Sequence, residues 1–304
     1  MKKLRAAVLG VGYLGQFHAQ KYKSSEIAEL VGVFDASSDR AQKIAQDLKV
    51  KAFTEVAQLK GQVDLVTIAA STQAHYELAK WCLQNGIHVN VEKPITATLP
   101  QGEEIVALAK KQNLKLAVGH IERFNPAILE VKKKFSLNPE LLILRREGPF
   151  KTRAADVSVL HDLMIHDVDL VTWLTGSQIQ SAHVEKKKVF TSTWDWSEVH
   201  VQLKSGPKAV MTASRISVVP QRSLQWIQKD QTLWAHLGTL EIQHHVATPG
   251  AAEPVAIKTW TVEKQDALAQ ETESFARAVL EDKIPAVTGE DGLQALTWIE
   301  QWSR

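Results

Sequence analysis

The sequence predicts an α/β protein in two parts: a doubly wound parallel sheet, then an α+β domain built on an open, largely antiparallel sheet. Three observations predict it. Over the first 119 residues short apolar runs alternate with helical patterns, the signature of βαβ units. A glycine-rich turn falls on the first strand–helix joint. Further along, the pattern changes to strands of alternating polarity separated by turns, as in sheets with one covered face. The expected domain boundaries are 1–119 and 120–304.

Strands are expected at Arg5–Leu9, Leu30–Phe34, Val63–Ala69, Ile87–Val91 and Leu114–Val118. Helices near 14–23, 38–48, 73–85 and 101–112 connect them. Gly10-Val11-Gly12-Tyr13-Leu14-Gly15 follows the first strand and opens the first helix. Gly10 permits the tight turn, Gly12 lets backbone approach a pyrophosphate, and Gly15 allows close helix–strand packing. The start of the helix, at Tyr13 and Leu14, then offers amide donors to phosphates. Asp35 ends the second strand, where a carboxylate accepts both ribose hydroxyls and repels a 2′-phosphate. The first domain is therefore expected to be a Rossmann domain binding NAD in preference to NADP. Ser37, Ser38 and Arg40 nearby work the other way, since they would tolerate a phosphate.

In the second part, the segment 161–170, HDLMIHDVDL, puts two histidines and three aspartates into an otherwise apolar stretch. Asp162, His166 and Asp169 fall at i, i+4 and i+7, one stripe on a helical face. Either the stripe is a buried structural Asp–His pair, or it carries acid/base chemistry. Segments 198–206 and 208–218, separated by a Gly-Pro turn, read as antiparallel strands with one apolar face. Trp194, Trp196, Trp226 and Trp234 read as sheet packing or subunit interface. Segments 267–281 and 291–302 read as closing helices. No metal is expected: His244-His245 has no second ligand pair nearby, and His161 and His166 miss the i, i+4 spacing of two ligands on one face.

Composition excludes several classes of function. Hydrophobic residues make up 44% and charged residues 23% of the 304, ordinary values for a globular protein. Net charge is 36 − 34 = +2, with no basic run longer than a triplet, so no nucleic-acid partner is expected. The single cysteine, Cys82, excludes an internal disulfide and fits a reducing compartment. The N-terminal apolar run is broken by glycines and no stretch approaches membrane-spanning length, so no membrane partner is expected and the expected location is cytoplasmic.

At NVEKPIT (90–96) the sequence resembles the glucose-fructose oxidoreductase / inositol dehydrogenase / rhizopine-catabolism family, Gfo/Idh/MocA. The resemblance runs over nearly the whole chain: the glycine turn, Glu92-Lys93-Pro94, the Asp162–His166 helix and VTGEDGLQAL (287–296). It implies an NAD-dependent dehydrogenase with Lys93, Asp162 and His166 catalytic. It also implies a homodimer or homotetramer formed through the flat face of the second sheet. The chemistry agrees, since oxidising a secondary alcohol needs hydride loss and proton loss. His166 is the natural base because imidazole titrates near neutral pH. Lys93 would stabilise developing alkoxide, and Asp162 would orient the imidazole or contact a neighbouring hydroxyl. A charge just after a parallel strand sits at the sheet's carboxyl edge, where ligands bind. Glu92, Ser71, Thr72 and His75 are further expected cofactor contacts. One departure is Ser71, which stands where the family commonly has proline.

VGHIERFNPAI (118–128) and REGPFKTRAADVSVLHDLMIHDVDL (146–170) are similar to a subgroup of sugar-nucleotide oxidases. That resemblance implies oxidation of UDP-N-acetylglucosamine at C3, giving a 3-keto sugar for a partner aminotransferase. Glu122, Arg123 and Asn125 would then line the sugar pocket, with Arg153 and Asp156 near the nucleotide sugar. Arg215 and Arg222 are additional candidates for the diphosphate, which suits arginine's paired donors. The competing reading of the arginines is that they form ion pairs only. Alternatives for the whole protein are a dehydrogenase of a free cyclitol or monosaccharide of the myo-inositol type, and a non-catalytic NAD-binding regulator.

Overall fold

The computed structural model describes residues 3–134, 139–152 and 155–304. Two compact units emerge, Met1–Ile121 with Asp266–Thr297, and Glu122–Gln265 with Trp298–Arg304.

The first unit holds six parallel strands: β1 (Leu4–Leu9), β2 (Ala28–Phe34), β3 (Lys51–Phe53), β4 (Leu65–Ile68), β5 (His88–Glu92) and β6 (Leu116–Gly119). Helices α1 (Tyr13–Ser24), α2 (Ser38–Leu48), α3 (Thr72–Gln84) and α4 (Leu99–Lys111) connect them. The order is β3-β2-β1-β4-β5-β6, so strand order reverses between β1 and β4. Ala6–Leu9 and all of β4 are buried, because helices cover both faces and leave no polar side to alternate. The edge strand β3 was not expected. Three residues paired only with β2 are too few to show a period. Local signals set the helix ends: the Ser37 hydroxyl accepts the Arg40 amide at the start of α2, and Lys49 closes it at φ 54°.

The second unit has α5 (Pro126–Lys134), α6 (Ile165–Thr175) and eight strands. These are β7 (Leu141–Glu147), β8 (Ile179–Lys187), β9 (Trp196–Leu203), β10 (Lys208–Ser214), β11 (Gln221–Gln228), β12 (Gln231–His236), β13 (Glu241–Ala247) and β14 (Val255–Thr261). They run in the order β14-β13-β12-β11-β7-β10-β9-β8, antiparallel everywhere except β7–β10. The expected pair 198–206 and 208–218 appears as β9 and β10, with Lys208 opposite Gln202. Register separates the two faces. Val199, Met211, Leu144, Leu224, Ala235 and Ile242 form a buried row across the sheet. Between them Val210, Ile143, Gln225, Trp234 and Gln243 form a row that remains partly exposed.

The expected boundary at 119/120 needs a correction at the far end. Segment 266–297 returns to the first unit through α7 (Ala267–Leu280) and the first part of α8 (Gly289–Ser303). α7 packs on α1, and Phe275 and Ala276 join the cluster of Val8, Ala19, Tyr22 and Val33. Gly292 lies so close to Val118 that a Cβ would fall 2.5 Å from its side chain. Local pattern shows that these segments are helices; which sheet their apolar faces cover is decided by contacts distant in sequence. Among the described residues no helix is long and apolar enough to cross a membrane.

Candidate active site

The carboxyl edge of the first sheet carries the glycine turn. Gly10 has φ +86°, and a Cβ there would sit 2.5 Å from the backbone of Ala70, so the turn after β1 presses against the turn after β4. A Cβ on Gly15 would overlap the Gly10 carbonyl oxygen, whereas a Cβ on Gly12 would meet nothing within 4 Å. The turn is therefore closed on the protein side and open on the outer side. No side chain caps the N-terminus of α1 and its first turn contains no acid, leaving amide donors and the positive dipole end for an anion. These features fit a dinucleotide pyrophosphate.

Asp35 is placed at the end of β2 but is already engaged. Its Oδ2 accepts the Val11 amide at 2.8 Å, and its Oδ1 accepts the Ser37 amide at 2.9 Å and Arg40 Nη1 at 3.2 Å. The carboxylate thus holds the glycine turn. Arg40, half exposed, offsets part of its charge.

Beyond β4, Ser71 is exposed and Thr72 begins α3. His75 is buried. Its Nδ1 faces the Pro94 carbonyl oxygen at 2.9 Å and its Nε2 faces that of Ala70 at 3.1 Å. Burial pushes its pKa down, and a neutral ring donates to only one of the two carbonyls. His75 therefore straps the two loops together instead of presenting its ring to a ligand. At the end of β5, Lys93 is partly exposed, while the Glu92 carboxylate turns to His18 Nε2 on α1 at 2.8 Å.

In the second unit Asp162 and His166 fall on one helical segment, but that segment is not regular. Leu160–Met164 form a π-helical turn ahead of α6, with the Ile165 amide donating to the Leu160 carbonyl, five residues back. His166 lies in the first turn of α6 with Nδ1 shielded from solvent, and Asp162 is partly exposed. The third member of the expected stripe, Asp169, belongs elsewhere. It is buried and receives Arg123 Nε at 2.8 Å and Nη2 at 2.5 Å. Asp167 is likewise buried against Arg146 at 2.8 Å, and burial raises its pKa against the opposing pull of Arg146. His161 faces away to Ser158 at 3.1 Å and Glu300 at 3.0 Å.

The sugar-pocket candidates are mostly structural in this geometry. Glu122 is buried and contacts Arg222 and, at 3.4 Å, Arg146. Arg123 is 4% exposed, paired with Asp169, and stacked 5.3 Å from the Trp173 ring. Asn125 accepts the Ala127 amide at 3.0 Å at the start of α5 and donates to the Leu237 carbonyl at 3.0 Å. Two buried aspartates on α6 require buried cations, and Arg123 and Arg146 supply them. Arg215 is buried between the Val157 carbonyl and, at 3.7 Å, Asp195. Arg153 lies outside the described residues. Asp156 lines a pocket of about 360 Å³ with His161, Lys188, Thr193 and Trp194. Sequence reasoning missed Arg146 and Asp167. The available signal was Arg146 itself, a charge on the inward register of Leu142 and Leu144.

Comparison with known proteins follows the same division. Residues 4–120 match the model of the Gfo/Idh/MocA oxidoreductase family, NAD-binding Rossmann fold, and residues 135–236 match the Gfo/Idh/MocA C-terminal domain. The chain is 36% identical to UDP-N-acetylglucosamine 3-dehydrogenase of Acidithiobacillus ferrooxidans, over 92% of this chain and 90% of the relative. A solved structure of that enzyme superposes with a TM-score of 0.93, covering 100% of this chain and 97% of the other at 32% identity. Scyllo-inositol 2-dehydrogenase (NAD(+)) of Bacillus subtilis is 26% identical over 95% of this chain and 90% of its own length.

Proposed function

The chain belongs to the Gfo/Idh/MocA family of NAD-dependent oxidoreductases, and we propose that it oxidises UDP-N-acetylglucosamine at C3 to the 3-keto sugar. The observation that carries this reading is the relative of that activity, matched along nearly the whole chain at higher identity than the inositol enzyme. Bound on the glycine turn, NAD supplies the hydride acceptor. Gly10, Gly12, Gly15 and the first amides of α1 hold its pyrophosphate, Asp35 its ribose, and the Ser71–Thr72 turn borders it. His166 takes the hydroxyl proton at Nε2, since Nδ1 is shielded. Asp162 orients that imidazole or a sugar hydroxyl. Lys93 brings a cation to the oxygen on which negative charge develops.

The diphosphate needs positive charge beyond the reacting ring. Arg153 is the residue we assign to it, on the subgroup resemblance. Asp156 and Lys188 line one pocket of the second unit, which brings an acid and a base to a space open to a ligand. The partly exposed row of Ile143, Val210 and Trp234 is where we place the homo-oligomer contact. The cytoplasm is the compartment we assign.

Two measurements test the reading. His166→Asn is expected to lower turnover by roughly two to four orders of magnitude, the range of general-base losses, and to leave NAD affinity within about twofold. UDP is expected to inhibit competitively against the sugar nucleotide. If UDP does not inhibit while myo-inositol is oxidised efficiently, the free-cyclitol reading replaces this one.

A further inference from the structure

Three ionisable side chains meet inside the first unit. His18 is wholly buried on α1, one turn beyond the glycine turn; Glu92 ends β5; Glu271 is 97% buried on α7. One ring nitrogen of His18 and one carboxylate oxygen of each glutamate all lie within 4.8 Å of one another. His18 Nε2 and Glu92 Oε1 are 2.8 Å apart, and Asn90 Nδ2 donates to Glu271 Oε1 at 3.1 Å. That leaves His18 Nδ1 and Glu271 Oε2 buried without a hydrogen-bond partner among the described residues. A buried carboxylate is costly unless it is paired, and among the described residues one imidazolium is the cation that two carboxyls share here.

We infer that His18, Glu92 and Glu271 form a buried proton-holding cluster whose charge state positions the Glu92-Lys93-Pro94 segment against α1 and α7. Its stable form is an imidazolium–carboxylate pair between His18 and Glu92, with Glu271 as a neutral carboxylic acid. The direct 2.8 Å contact marks a shared proton, with no room for a cation between those two atoms. Burial works to lower the pKa of His18, but the hydrogen bond and charge of Glu92 outweigh it and hold it above the usual value. Glu271 is pushed up to about 7, by burial first and then by the Glu92 charge. Among the described residues the other titratable groups facing the cluster carry no compensating charge. Tyr22 on α1 is bonded to Thr67 on β4 at 2.9 Å and held in its neutral form by burial, and His75 on α3 is held neutral by burial too. Lys21, also on α1, is occupied by Asp266 at 2.7 Å.

The consequence is a pH response in an element that carries Lys93, so the catalytic part of the inference rests on the function proposed above. Glu271's pKa is raised on folding. Its neutral form is therefore the favoured one: the stability is fully present below the unfolded value near 4.5, is lost progressively as pH rises to about 7, and is gone above it. Above that pH a second carboxylate faces Glu92 across a single imidazolium.

The test compares the full chain with Glu271→Gln, which keeps the neutral shape at every pH. Thermal unfolding without substrate, from about pH 5.5 to 8.5, is expected to give curves that diverge, with the variant gaining several degrees over the natural protein on the alkaline side. The infrared band of a protonated carboxyl is expected in the natural protein at about pH 6, to fade by about pH 8.5, and to be missing from the variant at both. If the variant fails to fold, the infrared titration of the natural protein decides alone. Turnover of UDP-N-acetylglucosamine is expected to fall more steeply above about pH 7 in the natural protein than in the variant. Parallel unfolding curves, or no band that titrates near neutral pH, would overturn the cluster. Diverging curves without turnover of any UDP-sugar would keep the cluster and reject the proposed substrate.

Discussion

Arg123 separates two readings of this protein that the sequence alone left open, a sugar-pocket residue or an ion-pair residue. The guanidinium is 4% exposed and meets Asp169, 1% exposed, at 2.5 and 2.8 Å. It lies 5.3 Å from the Trp173 ring, with Lys132 Nζ only 3.8 Å from that ring as well. Burial, and then the Arg123 charge, depress the Lys132 pKa. Removing one partner of such a pair leaves an uncompensated buried charge and costs about 3–5 kcal/mol. In a unit of this size that corresponds to a fall in Tm on the order of 10 °C. Arg123→Met is therefore expected to shift the urea midpoint strongly downward at pH 7, with little change in KM for the sugar nucleotide in the folded fraction. Adding Asp169→Leu should recover most of the loss, because two apolar groups of similar volume replace the pair without a stranded charge. An unchanged urea midpoint together with a tenfold higher KM would refute this reasoning and return Arg123 to the substrate pocket.

Two further outcomes follow from the same geometry. Asp35→Ala is expected to raise the Kd for NAD by tenfold or more and to narrow the preference over NADP, measured by NADH and NADPH fluorescence titration; equal affinities in the natural protein would show that Arg40 has cancelled the discrimination. Asp195 accepts the amides of Val189, Phe190 and Thr191 at 2.7–2.9 Å, and these donors hold its pKa at about 2 against burial. The stability it contributes is present above the unfolded value near 4 and lost as pH falls through about 2. Asp195→Asn should thus destabilise the protein at pH 7 and progressively less on acidification, in urea unfolding at several pH values; a constant deficit would refute the assignment.

Sequence pattern was sufficient wherever the physics is local. The alternation of buried strands with amphipathic helices, the Gly10–Gly15 turn after β1 and the Gly206-Pro207 turn between β9 and β10 are short-range constraints of backbone and burial, and each is legible in the sequence. Asp35 and Lys93 could be placed at strand ends, and His166 on a helix, for the same reason. The partners of charged side chains could not. Asp162, Asp167 and Asp169 look alike in the sequence, yet two of them are buried against Arg146 and Arg123 and only Asp162 remains partly exposed. The π-helical turn at Leu160–Met164 shifts the facing of that stripe by a hydrogen bond that no periodicity announces. Glu92 and Glu271 are 179 residues apart, 271 − 92, and become one buried cluster with His18 because α7 returns to pack on α1. Burial makes an ionised group depend on whichever counter-charge the fold brings within a few ångströms, and that is a property of tertiary contacts, not of neighbours along the chain.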